Sequence, residues 1–325
     1  MSFVGRALSF VFQRQDGTKF SNGSDTITLP PGLMSSIRVQ YAGFPQSTAA
    51  SITIWGLTSS VINELNTLGV IWDFQPRNLV TVLAGEANGN NFGTVFVGGV
   101  RSCVPMFRQP EALVAIEAFT GLDIAVGMAL PQSFTGSSDV VGMLQGLANQ
   151  VKYDFENSGV SDISLSNQYL WGSPREQIKT IRDSLINRGV TVDIVEGAPP
   201  TVAIYYTAKG RGKGGIPLID QDHGMIGYPS YTNFGIDFRC VYAPQLRKGG
   251  QVQVRSGLPG GQSLPTKTVT GQSTSAVLGS NPSASGLWNI YGLSHSLDAQ
   301  IPGGLWESTV QAMRTGYPTP FVVKA

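Results

Sequence analysis

The chain has 325 residues, a formal net charge of +1 and only 13% charged residues, about half the roughly 25% of an average soluble domain. That near-neutrality argues against electrostatic nucleic-acid binding, and two cysteines, Cys103 and Cys240, are too few for a disulfide framework. No run reaches the roughly 18 apolar residues of a membrane span, and the first 12 residues lack a signal-peptide pattern, so folding in a reducing cytoplasm without membrane insertion is expected. At roughly 100 to 150 residues per domain the length implies two or three domains. The 41% hydrophobic content supports an ordinary core, and 40 glycines with 19 prolines point to many turns and to β structure. A surface this poor in charge is easily desolvated and suits protein contacts; a merely polar β surface is the plainer alternative.

Residues 7–12 open as a strand, and 13–23 form a polar turn region. Residues 25–29 alternate until Pro30-Pro31-Gly32 stops them. Residues 36–41 place Ile37, Val39 and Tyr41 on one face, and 51–55 place Ile52 and Ile54. Ser59 or Ser60 caps a short helix over 61–68 that Gly69 ends. Residues 78–84, 94–100 and 113–119 are further strands, giving the strand spacing of a barrel or sandwich.

The character changes after about residue 130. Ser137-Ser138 is positioned to cap a helix over 139–151, with Val140, Leu144, Leu147 and Val151 at helical spacing. Ser173-Pro174-Arg175-Glu176 reads as a capping box with proline at the first helical position, opening a helix to Arg188 that Gly189 stops. Residues 190–195 and 201–206 then form a hairpin across Gly197-Ala198-Pro199-Pro200, completing a small α+β domain. Residues 209–215 read as a flexible basic linker.

In the last third, Ile236, Phe238, Cys240 and Tyr242 alternate with Asp237, Arg239 and Val241, and Ala243-Pro244 ends that strand. Leu246 to Gly250 makes a tight turn with Lys248 and Gly249 at its tip, and 251–255 returns as a strand. After a Ser/Thr/Gly/Pro-rich insert at 256–286, two more strands are expected at 288–293 and 305–313, joined through Ser294-His295-Ser296 and the Ile301-Pro302-Gly303-Gly304 turn. A loop as long as this insert is usually functional or disordered.

Two stretches carry a resemblance. Leu246, Gly249, His295, Asp298, Gly304 and Trp306 stand at places matching the C-terminal tube domain of the tail and baseplate hub proteins of tailed phages, the late-control-protein-D-like family. The N-terminal stretch is similar to that family's first tube domain. Gly56 and Leu57 match its strand-to-helix corner, Ala84 and Gly85 the end of its middle strand, and Phe96 and Gly98 the strand after it. The resemblance implies a β-rich α+β fold. Two tail-tube-like antiparallel barrel or sandwich domains, at 1–130 and 209–325, flank a small α+β domain at 131–208 on the outside of a ring. It further implies a non-enzymatic structural hub, a homotrimer whose six quasi-equivalent barrels join the sixfold tail tube to the threefold central spike. Its partners would be the tail tube protein, the spike and other baseplate proteins. DNA or a tape-measure protein would pass through the lumen during host cell entry, and its place would be the virion tail, assembled in the bacterial cytoplasm. The candidate subunit-interface or structural turn residues are Leu246, Lys248, Gly249, His295, Asp298, Trp306, Gly56 and Leu57.

Chemistry is sparse. His223, within Asp220-Gln221-Asp222-His223-Gly224, has metal-ligand neighbours but no second cluster, and a solvated turn is the plainer reading. His295 has serines on both sides, but no Gly-x-Ser-x-Gly elbow exists, and a buried histidine bonded to Asp298 or to backbone is expected. Lys209 to Gly215 lacks the order of a phosphate-binding loop; a bare linker or a basic stretch, Lys209 to Lys213, beside a DNA passage remain open. Glu111, Glu117 and Asp123 are carboxylates, yet nothing selects a hydrolytic pair. No metal or other cofactor is expected. A carbohydrate-binding or adhesin-type surface protein is the alternative, favoured by Trp55, Trp72, Trp171, Trp288 and Trp306.

Overall fold

The computed structural model describes residues 5–15, 17–66, 68, 78–87, 92–108, 111–127, 129–212, 214–232, 234–256 and 284–315. The first module comprises β1 (Arg6–Gln13), β2 (Thr26–Leu29), β3 (Ser35–Tyr41), β4 (Ala49–Trp55), α1 (Ser59–Asn66), β5 (Leu79–Glu86), β6 (Gly93–Arg108) and β7 (Glu111–Phe119). A middle unit follows with α2 (Leu122–Val126), β8 (Gln132–Asp139), α3 (Val140–Gln150), β9 (Asp154–Ser158), β10 (Ser164–Leu170), α4 (Pro174–Leu185), a single 3₁₀ turn, β11 (Val190–Val195) and β12 (Thr201–Tyr206). The last module comprises β13 (Leu218–Ile219), β14 (Met225–Thr232), β15 (Gly235–Val241), β16 (Gln251–Val254), β17 (Gly286–Ala299) and β18 (Trp306–Arg314). The mostly antiparallel, β-rich fold expected from the sequence is the one observed.

The first and last modules share one sheet. Its strands run β14-β15-β18-β17-β3-β4-β7-β6-β5-β1-β2, with β16 and β13 branching from β17. One hydrophobic core runs beneath both, from Phe10, Phe12 and Ile37 to Phe238, Leu297 and Val310. The middle unit has its own core, in which α3 and α4 bury Leu144, Leu147, Ile178 and Ile181 against Val192, Val202 and Ile204 of β11 and β12.

The two β modules are built alike. The order β3-β4-β7-β6-β5 in the first is repeated as β14-β15-β18-β17-β16 in the last, with each set in the same chain order. Both long hairpins slip by one residue at a bulge, β6/β7 between Val100 and Ser102 and β17/β18 between Ile290 and Gly292. Aligned on those bulges, the registers put Val80 and Val82 onto Val252 and Val254. They also put Ala50, Ile52 and Ile54 onto Ile236, Phe238 and Cys240, and every one of these ten side chains is buried. The copies differ at two places. β13 joins β16 in parallel where β1 joins β5 antiparallel. In β14, Gly227, Tyr228 and Pro229 stand opposite the single residue Phe238, whereas β3 opposes only Ile37 to Ile52.

Several local expectations are corrected. Residues 294–296 do not connect two strands; they lie inside the 14-residue β17, because Leu293, His295 and Leu297 face inwards while the serines face outwards. Strand β6 continues to Arg108, well past residue 100. Helix α3 is capped by Asp139, which accepts from the Gly142 amide at 2.8 Å, while Ser137 and Ser138 belong to β8. Helix α1 begins at Ser59, with Thr58 before it accepting from the Val61 and Ile62 amides. Gly69 and most of the 256–286 insert lie outside the described residues. The basic stretch at 209–215 is not a bare linker, since Arg211 is buried and paired. Cys103 and Cys240 are free, and burial pushes both thiols up to about 12. Strands β8, β9, β10, β13 and β14 carry little apolar alternation and escape a pattern-based reading.

The expected capping box is present: Ser173 Oγ accepts from the Glu176 amide, and Glu176 accepts from the Ser173 amide at 2.7 Å. Replacing Ser173 by Ala removes one half of it and should destabilise the middle unit by about 1 kcal/mol, read from the urea midpoint. No change in that midpoint would mean that the α4 N-terminus is held by its packing alone.

Candidate functional site

Two junctions hold the chain together. The first is the ladder between β3 and β17, which runs from Leu293 opposite Tyr41 to Ala299 opposite Ser35. Beneath it lies His295. Its ring is met edge-on by Tyr41 at 5.3 Å and by Tyr242 at 5.1 Å between centroids, and its Nδ1 is 2.8 Å from Ser308 Oγ. The expected bond to Asp298 is therefore corrected. Serine is the partner, because Asp298 lies on the other side of the strand path and is engaged elsewhere. Arg38 donates to both Asp298 oxygens at 2.7 and 3.0 Å, and the Leu305 amide donates to Oδ2 at 2.8 Å. Burial raises the Asp298 carboxyl, but these donors and Ser36 outweigh it and hold the group below the usual carboxylate range. For His295 burial acts unopposed and drives its pKa down to about 3, so the ring is neutral.

The second junction centres on Asp193 of β11. One carboxylate oxygen accepts from the Phe44 amide at 2.8 Å and from the Ile194 amide at 3.0 Å; the other is paired with Lys248. Phe44 belongs to the β3–β4 loop, and its ring is buried in the middle unit's core. Lys248 belongs to the turn between β15 and β16. One buried carboxylate thus ties all three parts of the chain. The lysine crosses over Gly43, where a Cβ would sit 1.8 Å from Nζ, so this turn needs a residue without a side chain. Beside it, Arg211 donates to Glu156 at 3.2 and 2.7 Å, a pair more than nine-tenths buried.

The candidate residues fall into three groups. Lys248 and Gly249 sit at the Asp193 junction. Gly249 has φ of +75°, its amide donates to Ile290 and its carbonyl accepts from Arg211, and a Cβ there would lie 2.9 Å from the Tyr205 hydroxyl. Leu246 is core beneath the same turn. His295, Asp298 and Trp306 sit at the β3–β17 junction, Trp306 stacking edge-on with Tyr242 at 5.9 Å and beneath the Arg6 guanidinium at 5.8 Å. Gly56, with φ of +76°, and Leu57, half-buried on the core, form the corner before α1, away from both junctions. Sequence reasoning missed Arg38, Asp193, Glu156 and Arg211. Asp193 leaves a trace, an acid inside the apolar run of β11, and the others leave none. His223 pairs with Asp220 at 2.5 Å in an exposed turn, and among the described residues no cluster of three metal-ligand side chains exists. No helix among them is long and apolar enough to cross a membrane.

Two measurements test these assignments. Because His295 binds its proton far less readily in the folded chain than its ordinary pKa of 6.5 allows, its contribution to stability is complete above pH 6.5. It declines as pH falls from there towards 3, by up to about one decade in the unfolding equilibrium per pH unit. His295→Gln should flatten the wild-type slope between pH 6 and 4.5; an unchanged slope would remove His295 from that role. Lys248→Met leaves the Asp193 carboxylate without its cation and should cost about 3 kcal/mol, part of which Asp193→Asn in the same chain restores. Additive losses in the double variant would show that the pair is not coupled.

The fold has known counterparts. The tail protein of Neisseria meningitidis MC58 superposes with a TM-score of 0.58 at 9% identity, covering 97% of this chain and 98% of its own. The 43 kDa tail protein of prophage MuSo2 from Shewanella oneidensis gives 0.54 at 9% identity over 96% and 97%. The Escherichia coli c3393 protein, a type VI secretion component described as similar to the T4 tail proteins gp27 and gp5, gives 0.53 at 11% identity over 90% and 76%. Identities this low speak for the fold alone. No curated protein matches the sequence. The model of the baseplate hub gp41 family, however, matches residues 17–260. With that match over most of its length, the chain belongs to the baseplate hub gp41 family and is a phage baseplate or tail structural protein.

Proposed function

We propose that three copies of the chain close into a ring, a hub that joins the sixfold tail tube to the threefold central spike and takes part in host cell entry. The observation that carries this is the internal repeat. Two β modules with one strand order and matched bulges are set edge to edge through β3 and β17. A heterologous contact between like modules generates a ring when its rotation closes, and six modules from three chains present threefold symmetry to one partner and near-sixfold symmetry to the other. In this reading the units are residues 1–130, 131–208 and 209–325. The candidate residues at the two junctions act within the chain by fixing the angle between modules, Gly56 and Leu57 shape only the corner before α1, and no catalytic step or cofactor is required. The sheet face away from the core carries Gln40, Ser51, Thr53, Ser294, Ser296, Thr309 and Gln311. Arg38, Glu117, Asp237, Arg239 and Glu307 stand among them on the same face, and a polar surface of mixed charge suits a lumen through which DNA or a tape-measure protein passes without being held. The hub works in the virion tail, against tube, spike and other baseplate proteins.

The carbohydrate-binding alternative loses most of its basis. Trp288 is buried, Trp55 and Trp306 are half-buried against the sheet, and among the described residues Trp171 is the exposed tryptophan. Mass measurement of the purified full chain tests the ring. The expected species is roughly 104 kDa, three times the 34.6 kDa chain. A monomer persisting at high concentration, with no ring visible in the particle, would refute it.

A further inference from the structure

Strand β6 is paired with β7 along its length, but β5 covers its other edge only as far as Gly99. From Ser102 onward no described strand lies on that edge. In the last module the same geometry holds up to the same point, with β16 covering β17 as far as Asn289. There the edge from Leu293 onward is not open, because β3 occupies it. The bulge alignment makes Cys103 the counterpart of Leu293, Pro105 of His295, Met106 of Ser296 and Phe107 of Leu297. Along the inward row the exposures part at one position: Leu297 is 0% exposed, whereas its counterpart Phe107 is 69% exposed. On the outer row Val104 at 48% and Met106 at 41% stand where the last module has Ser294 and Ser296, so this edge is also the more apolar of the two. An apolar side chain covered in one module is bare in the other, with further apolar surface beside it.

What covers it is indicated by the other end of the sheet. Strand β14 is the terminal strand of the last module and the counterpart of β3, and no described strand pairs with its outer edge. It presents Tyr228, 55% exposed, on the bulge opposite Phe238. We infer that the Ser102–Phe107 edge of β6 docks β14 of a second copy of this chain, by the same antiparallel arrangement that joins β17 to β3 within one copy. This rests on the ring reading and names its seam. Carrying the internal register across sets Val104 opposite Thr232, Pro105 opposite Tyr231 and Met106 opposite Ser230, and brings Phe107 to the β14 bulge. The two seams are not identical. The Asp298 amide bonds towards β18, at Leu305, so alternate residues such as His295 direct their amides towards β3. Its counterpart Pro105 has no amide hydrogen to direct. The seam between copies therefore has a shorter ladder than the internal one and relies more on Phe107, Met106 and Tyr228.

The test uses the full chain carrying Met106→Cys and Ser230→Cys, with native Cys103 and Cys240 buried. Mild oxidation should yield a closed species of three covalently linked chains, while Val104→Cys with Ser230→Cys, two residues out of register, should link poorly. Separately, Phe107→Asp should weaken association about tenfold without lowering the thermal midpoint of the isolated chain, since the residue is exposed there. A ring of three chains that neither cross-links through 106 and 230 nor responds to Phe107→Asp would overturn this seam and leave the hub reading standing. A wild-type chain that stays monomeric by mass would overturn both.

Discussion

The structure depends on the β3–β17 ladder more than on any other contact. Without it the chain would hold two modules that each expose a strand edge rich in apolar residues, the arrangement that invites uncontrolled pairing. With it, one sheet and one core run through both ends of the polypeptide. The register is strongly determined. A slip of one residue would turn His295 and Leu297 out of the core and Ser294 and Ser296 into it. The Arg38–Asp298 pair reinforces the same alignment from the polar side, because guanidinium and carboxylate meet in two parallel hydrogen bonds only when the two strands are in step.

A sheet alone would leave the middle unit free to swing. Asp193 prevents this by accepting from the β3–β4 loop while pairing with the β15–β16 turn. A buried ion pair contributes little net stability over a well-packed apolar substitute, because desolvating the charges offsets their attraction. Its value here is geometric. Asp193 with Lys248 and Glu156 with Arg211 are paired in one relative placement of the three parts, and any other placement strands a charge out of water. That is how a molecule with few charged residues overall comes to hide two ion pairs between its parts.

Much of the architecture is legible from local pattern. The alternation in β3, β4 and β15 reports one buried face, and Ser173 to Glu176 reports its own capping box, because both signals arise from neighbours in sequence. The middle of β17 misleads for a physical reason. His295 is a polar residue used as core, neutralised by burial and satisfied by Ser308, so an inward row of Leu293, His295 and Leu297 resembles a loop between serines. Arg211 misleads in the same way, since a basic residue among glycines reads as solvated until Glu156 is placed beside it. The β3–β17 pairing joins residues more than 250 positions apart, and nothing local announces it. The repeat itself is nearly invisible in side chains. It survives in strand order, in the position of one bulge and in which residues are buried, all properties of the backbone and not of residue identity.

Duplication within one chain also lets the two seams diverge. The internal seam joins strands held on a single polypeptide, so its partners meet at high effective concentration and form during folding. A long, uninterrupted ladder is no hazard there, because the partner is always present. In the proposed ring the seam between copies would form later and must not form with the wrong edge in the meantime. Pro105 in β6 and Pro229 with its bulge in β14 are the features that discourage indiscriminate strand addition, while Phe107 and Tyr228 supply apolar surface that gains only when a shape-matched partner arrives. Six identical single modules would have to use one edge for both purposes. In the proposed ring, two modules per chain would separate the contact that folds the subunit from the contact that assembles it.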